Sequence, residues 1–369
     1  MTPAKVYYTD LHAQLGTSLL QKLERLIRAA GIDGIDFEGR FTALKLHFGE
    51  EGNLAYLRPN YVKVVADVVK ELGGVPFLTD CNTLYVGSRK NAVDHLNVAM
   101  LHGFGPMTTG CQVIIADGLK GTDEAVVPVP EGEYVREAKI GRAIADADII
   151  VTVNHFKGHE SAGFGGALKN LGMGCGSRAG KMEQHASGKP HVEEGLCRGC
   201  QVCARQCAHG AISFGAGGKA AIDHGRCVGC GRCLGACNFD AIQPPDSHSN
   251  QLLNKKIAEY AWAAVEGKPH FHISLVIDVS PYCDCHGEND IPLVPDVGFF
   301  ASFDPVALDQ ACADACNRMP PMPGSVVEGS DPCYDRFASA FPDTDWEVAL
   351  EHAEKLKLGS RRYELVTVK

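Results

Sequence analysis

Apolar residues in this chain follow a helical rhythm in some stretches and an extended one in others, and the two alternate. A short apolar run at 6–9 precedes 17–30, where Leu19, Leu20, Leu23, Leu26 and Ile27 fall at helical spacing and Gly31 supplies a stop. The stretch 41–48 reads as a buried strand. A helix starts at Pro59, carries Val62, Val65, Val69 and Leu72, and stops at Gly73 and Gly74. The pattern then predicts a strand over 75–79, a helix over 88–101, a strand over 113–116, a helix over 134–145 and a strand over 148–153. After residue 245 the rhythm resumes with a helix over 252–265, strands over 273–279 and 297–301, and a helix over 305–317. A Gly-, Pro- and Ser-rich loop over 319–332 leads to a helix over 346–356 and a last strand over 363–368. Alternation of this kind predicts an α/β fold with a mostly parallel sheet and flanking helices.

The rhythm breaks between 189 and 245, where the chain reads Cys197-x2-Cys200-x2-Cys203-x3-Cys207 and then Cys227-x2-Cys230-x2-Cys233-x3-Cys237. A tight Cys-x2-Cys-x2-Cys turn aims three thiolates at one pocket, and in two-cluster ferredoxins the fourth Cys of each run serves the other cluster. The spacing therefore assigns Cys197, Cys200, Cys203 and Cys237 to one [4Fe-4S] cluster and Cys227, Cys230, Cys233 and Cys207 to a second. Gly199 matches Gly229, and Ala211 with Ile212 matches Ala241 with Ile242, as in a duplicated half-domain. Structural zinc sites place a longer spacer between two Cys pairs. Turn-rich edges, with Gly188 and Pro190 on one side and Pro244 and Pro245 on the other, mark an inserted module. The expected organisation is an α/β domain over 1–188, an α+β two-cluster ferredoxin-like domain over 189–245, and the second part of the α/β domain over 246–369.

Composition sharpens this in three ways. With 369 residues, the chain has far more than a ferredoxin needs. Its formal net charge of −10 argues against nucleic acid as a partner. No apolar run approaches a membrane span, and no basic segment followed by an apolar one opens the chain, so the expectation is a cytoplasmic protein. Its 16 cysteines, half of them at cluster spacing, fit a reducing and anaerobic interior better than disulfides.

In open α/β sheets ligands bind beyond the carboxyl ends of the strands. Those ends carry His47 with Glu50, Asp80 with Cys81 and Asn82, Asp117, Asn154 with His155, Lys157 and His159, and Asp278 with Cys283, Cys285 and His286. Any one such residue is more often a cap or loop residue than a catalyst; their recurrence at one edge is what points to a site. The densest piece is Asn154-His155-Phe156-Lys157-Gly158-His159-Glu160. If helical, it would put its two histidines on one face, good geometry for a metal or for acid and base around one substrate. In the Gly-rich stretch that follows, Gly163, Gly165 and Gly166 would let backbone N–H groups approach an anionic cofactor, with Lys157 or Lys169 adding charge. Cys283-x-Cys285-His286 offers soft ligands or a redox dithiol, but spacing shows no fourth ligand.

The combination of Asn154-His155-Phe156-Lys157-Gly158-His159, Gly163 to Gly174, Ser177-Arg178, Gly180-Lys181-Met182-Glu183, the double cysteine run, Asp296-Val297-Gly298 and Asp304-Pro305-Val306-Ala307 closely resembles the iron–sulfur proteins carrying the domain of unknown function numbered 362. The resemblance implies two [4Fe-4S] clusters and an anaerobic cytoplasmic setting, and names no substrate. The expectation is an oxidoreductase that passes single electrons between clusters and a small molecule or second cofactor, with His155, Lys157, His159 and His47 orienting and protonating it. The alternative is an electron-transfer ferredoxin whose α/β body docks a redox partner protein and has no catalytic site of its own. A mononuclear metal or a flavin is left open.

Overall fold

The strand Ile149–His155 is buried along its whole length, as a strand covered on both faces must be. On one side Ile149, Val151 and Val153 pack with Leu23, Leu26 and Ile27 of helix Leu19–Ala29 and with Val62, Val65 and Val69 of helix Pro59–Glu71. Ile150 points the other way, into a layer formed by helices Ala167–Cys175, Asn250–Val265 and Pro305–Arg318. Each such fully buried aliphatic side chain contributes about 1.5–3 kcal/mol. The computed structural model describes all residues except 1–2, 85–86, 186–188, 208, 228–232, 234–235, 238, 244–249 and 332–333.

The strands form one sheet in the order Tyr363–Thr367, Ala4–Thr9, Gly298–Ser302, His270–Val276, Ile149–His155, Phe41–Lys45, Val75–Asp80, Val113–Ile115. Gly298–Ser302 runs antiparallel to both neighbours, and the remaining pairs are parallel. The fold is thus α/β with a mostly parallel sheet and helices on both faces, as the apolar alternation predicts. Helix starts follow from local chemistry: Ser18 and Gln21 form a capping box, and Asp304 accepts from the Val306 and Ala307 N–H groups ahead of Pro305. Among the described residues no helix is long and apolar enough to cross a membrane.

Some expected elements shift at their ends, as the strand expected over 273–279 is His270–Val276 and the helix expected over 88–101 is Ala92–Leu101, and one differs in kind. Residues 134–145 are not a helix: Glu137–Gly141 pairs with Glu124–Pro128 as a hairpin, and only Arg142–Asp146 is helical. Buried Ala138 and Ile140 alternate with the outward Glu137 and Lys139, a period of two that the helical reading passed over. The preceding turn is held by a distant group, because the N–H groups of Glu133, Tyr134 and Val135 donate to the buried carboxylate of Glu259.

Between the two parts of the sheet, His191–Val192 pairs with Ile242–Gln243, and Ile212–Phe214 pairs with Ala220–Ile222. Cys197, Cys203, Cys233 and Cys237 pack there in one cluster with Leu84 and Met182 of the α/β layers. Cys230, Gly229, and the segment edges Gly188, Pro244 and Pro245 lie outside the described residues.

Candidate functional site

Parallel strands deliver their carboxyl ends to one edge of the sheet, and there the protein has a cavity of about 620 Å³. Three adjacent strand ends are tied together beneath it. Lys45 Nζ lies 3.0 Å from Asp80 Oδ1 and donates to Asn170 Oδ1 at 2.7 Å, while Asn170 Nδ2 donates to Asn154 Oδ1 at 2.7 Å. Arg89 adds a bond to Glu50 at 3.0 Å. These buried charges are paired, as burial of a charge requires. Lys45, Arg89 and Asn170 are side chains that the strand-end survey of the sequence missed, because their partners lie far along the chain.

The segment 154–159 is extended and Glu160 begins a turn. It completes the central strand at His155 and then forms a hairpin of Lys157–His159 with Gly163–Gly165. His155 and His159 therefore share no helical face. The His155 ring is fully occupied by the protein: Nδ1 lies 2.9 Å from both Asp284 oxygens, and Nε2 lies 2.9 Å from the Ile277 carbonyl. Lys157 Nζ is 3.2 Å from the same Asp284. Burial opposes ionisation of Asp284, but His155 and Lys157 outweigh it and hold the carboxyl well below the usual range. Asp284 is thus the hub that aims this segment. It stands between two cysteines that drew attention in its place.

His159 is a separate unit. Its Nδ1 accepts from the Ser161 and Ala162 N–H groups at 3.0 and 3.1 Å, which leaves Nε2 as the donor of the neutral ring. Burial pushes it down to about 4, helped by the charge of Lys169. His47 is arranged alike, with Nδ1 accepting from Gly49 N–H at 3.0 Å; burial and the charges of Arg89, Lys157 and Lys169 hold it well below the ordinary value. Both histidines line the cavity, so the structure brings His47, Lys157, His159 and Lys169 to one wall and spends the His155 nitrogens elsewhere.

The Gly-rich stretch packs closely against later parts of the chain. Gly166 is the residue before helix Ala167–Cys175, whose first N–H groups, on Ala167 and Leu168, already donate to Asp309 at 2.7 and 2.9 Å. A carboxylate of the protein occupies the place that a ligand phosphate would take. A Cβ on Gly166 would run into that carboxylate, and one on Gly163, which has a φ of 84°, would run into Trp346. Gly165 and Gly166 still form part of the cavity wall.

Thiols complete the edge. Lys169 Nζ donates to Cys283 Sγ at 3.3 Å. Burial lowers the proton affinity of Lys169, but Cys283, Cys285 and Glu160 outweigh this and hold it above the ordinary value. Cys283 and Cys285 share a hydrogen bond that holds Cys285 down to about 7 and pushes Cys283 up to about 12. The ligand atoms of His159, Cys283 and Cys285 lie within 4.8 Å of one another, and so do those of Glu160, Cys285 and His286.

The cysteine-rich segment closes the far side of the cavity through Asp240, Ile242 and Gln243. Within it, Cys197 Sγ accepts from Ala220 N–H at 3.4 Å and Cys207 Sγ from Ala211 N–H at 3.3 Å. Burial pushes the Cys203 thiol up, and the nearby Cys237 and Cys200 add to this. Cys200 is exposed, and Cys207 and Cys227 are half-buried.

A family model described as Domain of unknown function (DUF362) matches residues 42–314. No curated protein matches the chain. Among solved structures, the chain is similar to the lactate racemase apoprotein from Thermoanaerobacterium thermosaccharolyticum, at 11% identity and a TM-score of 0.35 over 74% of this chain and 51% of that one. It is also similar to a protein from Thermotoga maritima, at 12% identity and a TM-score of 0.40 over 81% of this chain and 57% of that one. The chain spans about half the length of these structures.

Proposed function

The chain belongs to the DUF362 family, and from that premise we propose that it is an iron–sulfur oxidoreductase whose substrate binds in the strand-end cavity. The observation that carries this reading is the shared wall: the cavity lies between the polar strand ends and the cysteine-rich segment, with residues of both lining it. We assign 189–245 as a two-cluster ferredoxin-like domain inserted between the two parts of the α/β domain.

The donor set fits two [4Fe-4S] clusters. Cys197 and Cys203 of the first run pack together with Cys233 and Cys237 of the second, so ligands from both runs meet in one place, as interleaved ligation requires. Backbone N–H groups point at Cys197 and Cys207, the kind of hydrogen bond that tunes cluster sulfur. Bound there, the clusters supply one-electron transfer. The other four ligands would be Cys207, Cys227, Cys230 and Cys233, and exposed Cys200 marks the side on which a redox partner protein would dock.

The α/β layers do the remaining work. A cavity of about 620 Å³ is of small-molecule size. His47, fixed as a neutral Nε2 donor by Gly49, orients a polar group or gives it a proton. Lys157, held by Asp284, adds positive charge to the wall.

The test is anaerobic purification with iron and sulfide analysis and dithionite titration followed by electron paramagnetic resonance. The expected content is about eight iron and about eight sulfide per chain. Reoxidation of the reduced protein by a small molecule, slowed in His47→Ala while the resonance is unchanged, would identify the cavity as the substrate site. Reoxidation by a partner protein alone, indifferent to His47→Ala, would return the protein to the carrier reading.

A further inference from the structure

Among the described residues, two overlapping sets of metal-ligating side chains, one of His159, Cys283 and Cys285 and one of Glu160, Cys285 and His286, lie outside the eight cysteines at ferredoxin spacing. Cys283-x-Cys285-His286 presents two sulfurs and an imidazole, and the fold brings a carboxylate to them from the turn after the Lys157–His159 strand. Glu160 Oε1 lies 2.9 Å from His286 Nε2. Its second oxygen, Oε2, is buried and has no hydrogen-bond partner among the described residues. The ligand atoms of Glu160, Cys285 and His286 lie within 4.8 Å of one another. His159 faces the same sulfurs, but its Nδ1 is taken by two backbone N–H groups, so its Nε2 carries the proton and donates rather than ligates.

We propose that Cys285, Glu160 and His286, joined by Cys283, whose Sγ lies within 4.8 Å of that of Cys285, form a mononuclear site for a soft divalent cation of the zinc class, at the wall of the cavity. Two sulfurs, one nitrogen and one oxygen match the donors and the count that zinc takes. Binding releases one proton from each cysteine not already ionised and one from His286 if its ring is charged; the Glu160–His286 hydrogen bond opens, Glu160 turns to the ion, and the neutral His286 ring ligates through whichever nitrogen carries no proton. Two thiolates and one carboxylate around a divalent cation leave one negative charge. Lys169, 3.3 Å from Cys283 Sγ, offsets it. Cys285, Glu160 and His286 line the cavity, so the ion would face whatever binds there. The site does not depend on the cluster reading, because it shares no ligand with the eight cysteines.

The test is to add Zn²⁺ to the anaerobically purified full-length protein, remove unbound ion, and measure zinc beside iron and sulfide. X-ray absorption at the zinc edge then counts its neighbours. The expected result is about one zinc per chain with two sulfur neighbours near ~2.3 Å and two lighter ones. The Cys283→Ser/Cys285→Ser variant should lose that zinc with its iron and sulfide unchanged, and Glu160→Gln should weaken binding about tenfold or more. Unchanged iron shows that these variants are folded and keeps failure of this site separate from failure of the clusters. Zinc with four sulfur neighbours, zinc retained in the double variant, or a Cys283–Cys285 disulfide in the anaerobic protein by mass spectrometry would each overturn the proposal.

Discussion

The cysteine-rich segment and the strand-end cavity face each other, yet they are encoded in opposite ways. Six of the eight cysteines assigned to the clusters fall in two Cys-x2-Cys-x2-Cys runs, so spacing alone carries the proposed chemistry. At the strand ends local backbone contacts fix His47 and His159, but the buried charged groups find partners far along the chain. His155 depends on Asp284, Lys45 on Asp80 and Asn170, and the first turn of helix Ala167–Cys175 on Asp309. A local site is legible as a motif, whereas a convergent one is legible only as a recurrence of polar residues after strands.

The sharpest way to break that contrast is to attack the one non-local feature of the cysteine segment. Because Cys237 is assigned to the cluster of Cys197, Cys200 and Cys203, Cys203→Ser and Cys237→Ser should lose the same cluster, halving iron to about four per chain and leaving identical resonance spectra. If Cys237→Ser instead matches Cys233→Ser, ligation is local throughout and the interleaving is wrong.

Next in size is the hub of the cavity wall. Asp284→Ala leaves His155 and Lys157 without their buried carboxylate, and a loss of about 3–5 kcal/mol is expected in denaturant unfolding. An effect below about 1 kcal/mol would mean that solvent reaches these groups and that the wall is not organised by Asp284.

Gly166→Ala sets a Cβ against the Asp309 carboxylate, and a loss of about 1–3 kcal/mol is expected. An unchanged melting temperature would reopen the helix start as a place for a ligand anion.

The smallest effect is a pH slope. Burial pushes Asp309 up to about 7 from an ordinary 3.8, against its two N–H donors. The folded protein then holds a proton that the unfolded chain has released, so this group favours folding at the acid end and its contribution is lost as pH rises through that window. Wild type should lose stability relative to Asp309→Asn between about pH 5 and about pH 7. Parallel curves for the two proteins would show that the two N–H groups, and not burial, govern this carboxyl.

Much of the fold was legible because helix and strand periods differ and caps are local. Pro59 and Pro305 start helices where the sequence places them, and Ser18 with Gln21 starts the first helix at Leu19, close to the expected 17. The expected helix over 134–145 failed where tertiary contacts prevailed: the turn that precedes Glu137–Gly141 is held by Glu259, more than a hundred residues away. The glycines after His159 were legible as glycines but not as packing sites, since their neighbours, Asp309 in helix Pro305–Arg318 and Trp346 just ahead of helix Glu347–Lys355, come far later in the chain.

The sequence by itself determined the α/β class, the edge at which polar residues gather and the doubled cysteine spacing, because each is set by period or by separations of a few residues. Only the tertiary structure decided which of those polar residues face the cavity. It turned the His155 nitrogens to Asp284 and Ile277, closed the helix start with Asp309, and carried Glu160 to Cys285 and His286. The reason is physical: a buried polar group must find a partner, and nothing in the spacing of neighbours says which distant strand or helix will bring it.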